Sequence, residues 1–125
     1  NMDSTKPVVE SDNSINKLES LGFTYDGNTE TYTKVDNDGG VIEYKTSSKI
    51  ISKELITNGY RHSIRYSVKR NEISYKIIDK DNLLIMDLIY YVDLQTLKCS
   101  INNCKSYHKE IDYILSVYNE IMSVL

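Results

Sequence analysis

Tryptophan and alanine are missing from this chain of 125 residues, which also carries one proline, one phenylalanine and two histidines. Glycines number five and cysteines two. Each scarcity closes a route. The scattered glycines form no phosphate-cradling loop and no dinucleotide fingerprint, and there is no HExxH pair. No G-x-S-x-G elbow presents a nucleophile. DNDGG at 36–40 is acidic but lacks the spaced ligands and terminal glutamate of a calcium loop, so it reads as a turn. No apolar run reaches the roughly 18–20 residues of a membrane span. The longest, LLIMDLIYYV at 83–92, is broken by Asp87 and has the length of a strand. Excess positive charge is absent too. A net charge of −3 and a pI near 5.3 argue against a dedicated nucleic-acid binder.

What is present is tyrosine, eleven of them, with many Ile, Asn, Lys and Ser. AT-rich codons supply that set, which points to a low-GC source such as Gram-positive bacteria, their phages or large DNA viruses. The length suits one domain, large enough to fold without a covalent staple. Residues 1–12 read as a disordered polar leader and 13–125 as a single α+β domain. The leader resembles in composition, with no motif behind it, the stretch after the lipidated cysteine of Gram-positive lipoproteins. That favours an extracytoplasmic protein, anchored by an N-terminal lipid. The rival reading takes Met2 as the native start and the protein as cytoplasmic.

Periodicity supplies the architecture. A short helix at 13–21 carries Ile15, Leu18 and Leu21 and stops at Gly22. The period then drops to two. FTY (23–25), ETYTKV (30–35) and VIEYKT (41–46) are parted by turn-forming DGNT and DNDGG. KIISKELIT (49–57) fits strand or helix and is read as strand. YRHSIRYSVK (60–69) alternates cleanly, with Tyr60, His62, Ile64, Tyr66 and Val68 on one face. A two-residue turn at Arg70-Asn71 would set Val68 opposite Ile73 and His62 opposite Asp79. A turn at Asp81-Asn82 sets Ile77 against Met86, Tyr75 against Leu88 and Lys76 against Asp87. TLKCSIN (96–102) returns with Leu97, Cys99 and Ile101 on the core face.

A helix at 106–124, N-capped by Ser106, bears an apolar stripe from Tyr107 through Ile111, Ile114, Leu115, Tyr118, Ile121 and Met122 to Leu125. The fold class is therefore α+β: a short N-terminal helix, a curled antiparallel meander of about six or seven strands, and a long C-terminal helix packed across the sheet. The outline is similar to helix-grip and cystatin-like folds, a likeness that carries no function.

Four constellations remain. Cys99 and Cys104 are a disulfide candidate: five extended steps span about 16 Å against the roughly 4.4–6.8 Å a disulfide needs, and Asn102-Asn103 can make the turn. Two reduced thiols are the alternative. Zinc held by Cys99, Cys104, His108 and His62 ranks last, and no metal or cofactor is expected. His62 and Asp79 form a buried polar pair candidate at the sheet margin, half of a nucleophile–base–orienter set with no nucleophile beside it. On the outer sheet face, Arg61 and Arg65 stand near Ile78, Ile85, Ile89 and Tyr91, an interaction patch candidate. The first helix or the early strands are expected to cover it; a protein partner or a second copy of the chain is the other occupant.

Together these favour a non-enzymatic binding domain, the soluble part of an exported or lipid-anchored protein. It would take a protein partner on its sheet or a small apolar ligand under its helix. A small cytoplasmic inhibitor, such as an immunity or phage-encoded protein that blocks a host enzyme, is the alternative.

Overall fold

A computed structural model describes residue 15, residues 17–101 and residues 107–125. The leader at 1–12 lies outside the described residues, as do Cys104 and Ser106; the cap of the last helix falls on Tyr107 and not on the expected Ser106, and no side chain caps it.

Among the described residues, eight strands form one antiparallel sheet whose spatial order is the sequence order. They are β1 Thr24–Asp26, β2 Thr31–Val35, β3 Val41–Lys45, β4 Ile50–Thr57, β5 Tyr60–Ser67, β6 Glu72–Ile78, β7 Leu84–Tyr91 and β8 Thr96–Ile101. The count exceeds the expected six or seven. The three-residue TYD pairs fully with β2, and the ambiguous segment after Lys49 is strand along its whole length. A helical turn around Leu18 precedes the sheet, and a helix at His108–Val124 follows it.

Turn chemistry sets the registers. β4 and β5 join through Asn58-Gly59, both at positive φ (53° and 83°), as a tight two-residue hairpin requires. Between β5 and β6 only Asn71 is at positive φ, 55°. A two-residue turn at Arg70-Asn71 is therefore not formed. The loop takes four residues, Val68 to Asn71, and the Asn71 N–H donates to the Val68 carbonyl at 3.3 Å. The expected β5–β6 register is corrected by two residues: Tyr66 faces Ile73, Ile64 faces Tyr75 and His62 faces Ile77. A slip of two keeps every side chain on its face, so the division into inner and outer faces stands. From β6 to β7 the expected pairs form as read: Ile77 with Met86, Tyr75 with Leu88, Lys76 with Asp87.

The inner face explains the tyrosines. One lateral row crosses the whole sheet as Tyr25, Tyr32, Tyr44, Ile51, Tyr66, Ile73, Tyr90 and Leu97. Tyr25 and Tyr32 pack with ring centroids 4.6 Å apart, and Tyr66 meets Tyr118 of the helix edge-on at 5.4 Å. Tyrosine here does the packing that tryptophan and phenylalanine would do elsewhere. The helix lies over β4 and β5 and buries Ile111, Ile114, Val117 and Ile121. Val117 joins the expected stripe, while Leu125 is exposed. Leu18 and Phe23 close the same core from the N-terminal side.

At the sheet's last edge Leu97 and Cys99 lie opposite the inner-face residues Tyr90 and Leu88, on the expected face, while Ile101 pairs with the outer-face Asp87 across a register shift. Every residue of β8 is nonetheless exposed, because the helix packs over β4 and β5. Among the described residues nothing of the N-terminal segment covers the outer face: Leu18 and Phe23 pack on the inner side, and the early strands belong to the sheet itself. Among the described residues of that face, only Thr31 is buried.

Candidate functional site

The row of inner residues next to the tyrosines contains a lysine. Lys53 sits between Ile42 and Ile64, where alternation along β4 puts it on the core side with Ile51 and Leu55. A buried ammonium needs compensation. The β2–β3 turn supplies it: Lys53 Nζ donates to Asp36 Oδ2 and to Asp38 Oδ2, both at 2.7 Å. Its ammonium also lies 4.6 Å from the centroid of the Tyr113 ring on the helix, and the Tyr113 hydroxyl donates to Asp36. Gly40 makes the approach feasible, since a Cβ there would stand 2.6 Å from Lys53 Cε. The acidic DNDGG segment is thus a turn, as read, and also the counter-charge of a core lysine.

The electrostatics follow from this geometry. Burial raises the Asp36 carboxyl, but the hydrogen bonds from Lys53, Tyr113 and the Asn37 N–H outweigh it and hold the pKa at about 2. Asp38 is lowered by the same lysine. Burial works against the Lys53 charge, yet its two carboxylates win and the lysine is raised. Burial pushes the Tyr113 phenol up, and its bond to Asp36 pushes it further.

Beside this cluster a cavity of about 360 Å³ opens between the sheet and the first turns of the helix. Leu55, Ile64, Tyr75 and Tyr113 give it largely apolar walls. His62 and Thr57 add polar groups, and Lys53, Asp38, Lys109 and Glu110 bring charge to its lining. His62 Nδ1 and the Tyr75 hydroxyl share a hydrogen bond of 3.1 Å. Burial, reinforced by the nearby Glu110 charge, pushes the Tyr75 phenol up to about 12, so it stays neutral and able to donate at physiological pH.

The remaining residues singled out from the sequence fall as follows. His62 and Asp79 are not a pair. The corrected register carries His62 to Ile77 and leaves Asp79 in the β6–β7 turn, where its Oδ1 accepts from the Asp81 and Leu83 N–H groups, both at 2.9 Å. Arg61 and Arg65 are exposed on the outer face, with Ile78, Ile85, Ile89 and Tyr91 half-buried on β6 and β7. Cys99 lies on the exposed edge strand, and no cysteine among the described residues is a free thiol. No cluster of three or more potential metal-ligating side chains occurs among the described residues, and no helix there is long and apolar enough to cross a membrane. Sequence reasoning missed the Asp36–Lys53–Tyr113 cluster. Its one signal was a lysine interrupting the apolar parity of KIISKELIT.

No protein-family model matches the chain, and no curated protein and no solved structure is significantly similar to it.

Proposed function

We propose that this chain is a non-enzymatic binding module, the folded part of an exported or lipid-anchored protein of a low-GC bacterium, and that it holds a small apolar ligand beneath the C-terminal helix. The cavity carries this reading. Its volume falls at the lower end of small-molecule sites, roughly 300–1,000 Å³, and Leu55, Ile64, Tyr75 and Tyr113 make its exposed lining mostly apolar beside six polar or charged side chains. The partner found for His62 supports binding over catalysis. A histidine hydrogen-bonded to a neutral phenol, with no carboxylate bonded to it among the described residues, lacks the oriented arrangement of a general base for a nucleophile.

The neutral fluorescent probe N-phenyl-1-naphthylamine tests the chamber. Saturable enhancement is expected for the native protein, with loss in Leu55→Trp, which fills the cavity. Enhancement that survives Leu55→Trp, in a variant still showing native unfolding, would place the probe elsewhere and sink the proposal.

The compartment is tested separately. A Cys99–Cys104 disulfide suited to an oxidising compartment has a potential below about −300 mV. Equilibration in glutathione buffers, read by mass spectrometry, is expected to give that value. A pair that stays reduced would favour the cytoplasmic inhibitor instead, docking a protein partner on the outer face, where Arg61 and Arg65 stand beside Ile78, Ile89 and Tyr91 without any described element above them.

A further inference from the structure

We propose that a depression on the outer sheet face, centred on Arg65, is a binding site for a phosphate group. It is independent of the cavity beneath the helix and lies on the opposite side of the sheet. Strand parity creates it. Arg65 stands on the outer face between Ser52 of β4 and Ser74 of β6, two short side chains that leave the guanidinium in a trough. The four-residue β5–β6 loop, fixed by Asn71 at positive φ, brings Lys69 and Arg70 to the same trough. The depression measures about 570 Å³, and Ser48, Ser67 and Ser74 add hydroxyls to its lining.

Charge and hydrogen bonding both select an anion. Three cations face one carboxylate, Glu72, within the depression. An adjoining depression of about 510 Å³ shares Ser48 and Arg65 and adds Lys45 against Glu43. The region is thus net positive by two on a chain whose net charge is −3. Among the described residues, the ion pairs involve Lys53 and Arg61, and none involves Arg65, Lys69, Arg70 or Lys45. A buried hydroxyl completes the set: Ser48 Oγ is shielded from solvent and has no hydrogen-bond partner in the protein. Leaving such a group unsatisfied is costly, and because Ser48 lines the depression, rotation about its Cα–Cβ bond would bring the hydroxyl to a bound acceptor and relieve that cost.

Guanidinium, ammonium groups and hydroxyls converging on one space suit a ligand rich in acceptors. A phosphate offers three or more oxygens in tetrahedral array, enough to engage Arg65 bidentately and still meet a lysine and a serine. A single planar carboxylate would occupy the arginine and leave the others unmet. A nucleic-acid strand would need a basic track along the sheet, and the outer face beyond this end carries Glu54 and Asp87 beside its cations.

Titration of the ¹⁵N-labelled protein with inorganic phosphate, and in parallel with glycerol 3-phosphate, tests the site. Saturable amide shifts are expected at Ser48–Ile50 and Arg65–Asn71. Chloride at matched ionic strength should leave them unmoved. Arg65→Gln, at an exposed position, should weaken binding roughly tenfold, the loss of one charge-assisted pair. Ser48→Ala should weaken it by a smaller factor. Lys76→Gln, which removes the same charge from the same face outside the depression, should leave affinity unchanged. Equal weakening by Lys76→Gln and Arg65→Gln would show diffuse attraction to the face and overturn the proposal, as would shifts reproduced by chloride or an absence of shifts. Tighter binding of glycerol 3-phosphate than of inorganic phosphate would assign the site to esters, and the reverse to the free ion. Sulfate binding as tightly as either would overturn the assignment to phosphate.

Discussion

Lys53→Met should destabilise the protein by about 2–3 kcal/mol, within the range for a buried charge stripped of its partner and discounted for partial exposure. The Lys53 and Asp36 side chains are 13% and 18% exposed, so the carboxylate left behind is largely shut away from water. Asp38, at 46%, can rehydrate, and Asp38→Asn should cost under about 1 kcal/mol. Urea unfolding distinguishes these outcomes. Equal effects of the two substitutions would mean that the lysine is a surface ion pair and not a core one.

The pH dependence carries the sign of the interaction. Asp36 titrates at about 2 in the folded protein against an ordinary value of 3.8. Its stabilisation is therefore present above the unfolded value and is lost as pH falls through about 2. In Lys53→Met that carboxyl loses its main support and keeps its burial, so its titration moves upward. The stability gap between native and variant should be widest near neutrality and narrow steadily from about pH 5 to pH 2. A gap that stays constant over that interval would show that the loss is one of packing.

The larger effect is expected at Ile114→Ala, about 3–4 kcal/mol, in the range for large-to-small changes at fully buried sites. Ile114 is completely buried, in the middle of the helix and against the sheet. The surrounding strands are hydrogen-bonded on both sides and cannot collapse into the space. Leu125→Ala, at a residue 46% exposed, should cost under about 1 kcal/mol. Comparable losses at the two positions would contradict the placement of the helix.

Alternation and turn residues carried most of the architecture. The faces of β5, β6 and β7 and the β6–β7 register were readable because one face is apolar and a single-residue slip would mix the two. What failed was information held in backbone angles. Asn71 adopts positive φ while Arg70 does not, and nothing in the letters RN says so. That one loop moved His62 away from Asp79 and onto Tyr75. The Lys53 cluster was hidden for another reason. Its members lie at positions 36, 38, 53 and 113, and only the folded chain shows that a turn, a strand and a helix share one ammonium. Arg65 was visible on the outer face, but its trough depends on Ser52 and Ser74, which only the registers of the two adjoining strands bring beside it.

Consider finally the turns at one end of the sheet. Glu30, Lys49, Asn71 and Gln95, each directly before a strand, all adopt positive φ. Three hydrogen bonds tie these four turns in succession, N–H to carbonyl: Thr46 donates to Glu30, Val68 to Lys49 and Val92 to Asn71. Each hairpin is thereby locked to the one before it, and every strand pairs only with its neighbours in sequence. Assembly can proceed as a zipper, one hairpin templating the next, with no distant loop to close. The tie between Asp36 and Tyr113 spans 77 residues and belongs to the helix, which follows the whole sheet along the chain. At synthesis rates of about 5–20 residues per second, the tyrosine row would stand open to solvent for on the order of seconds before its lid is made. During that interval the nascent sheet is a sticky, one-sided surface, and it is then that a chaperone would have most to do.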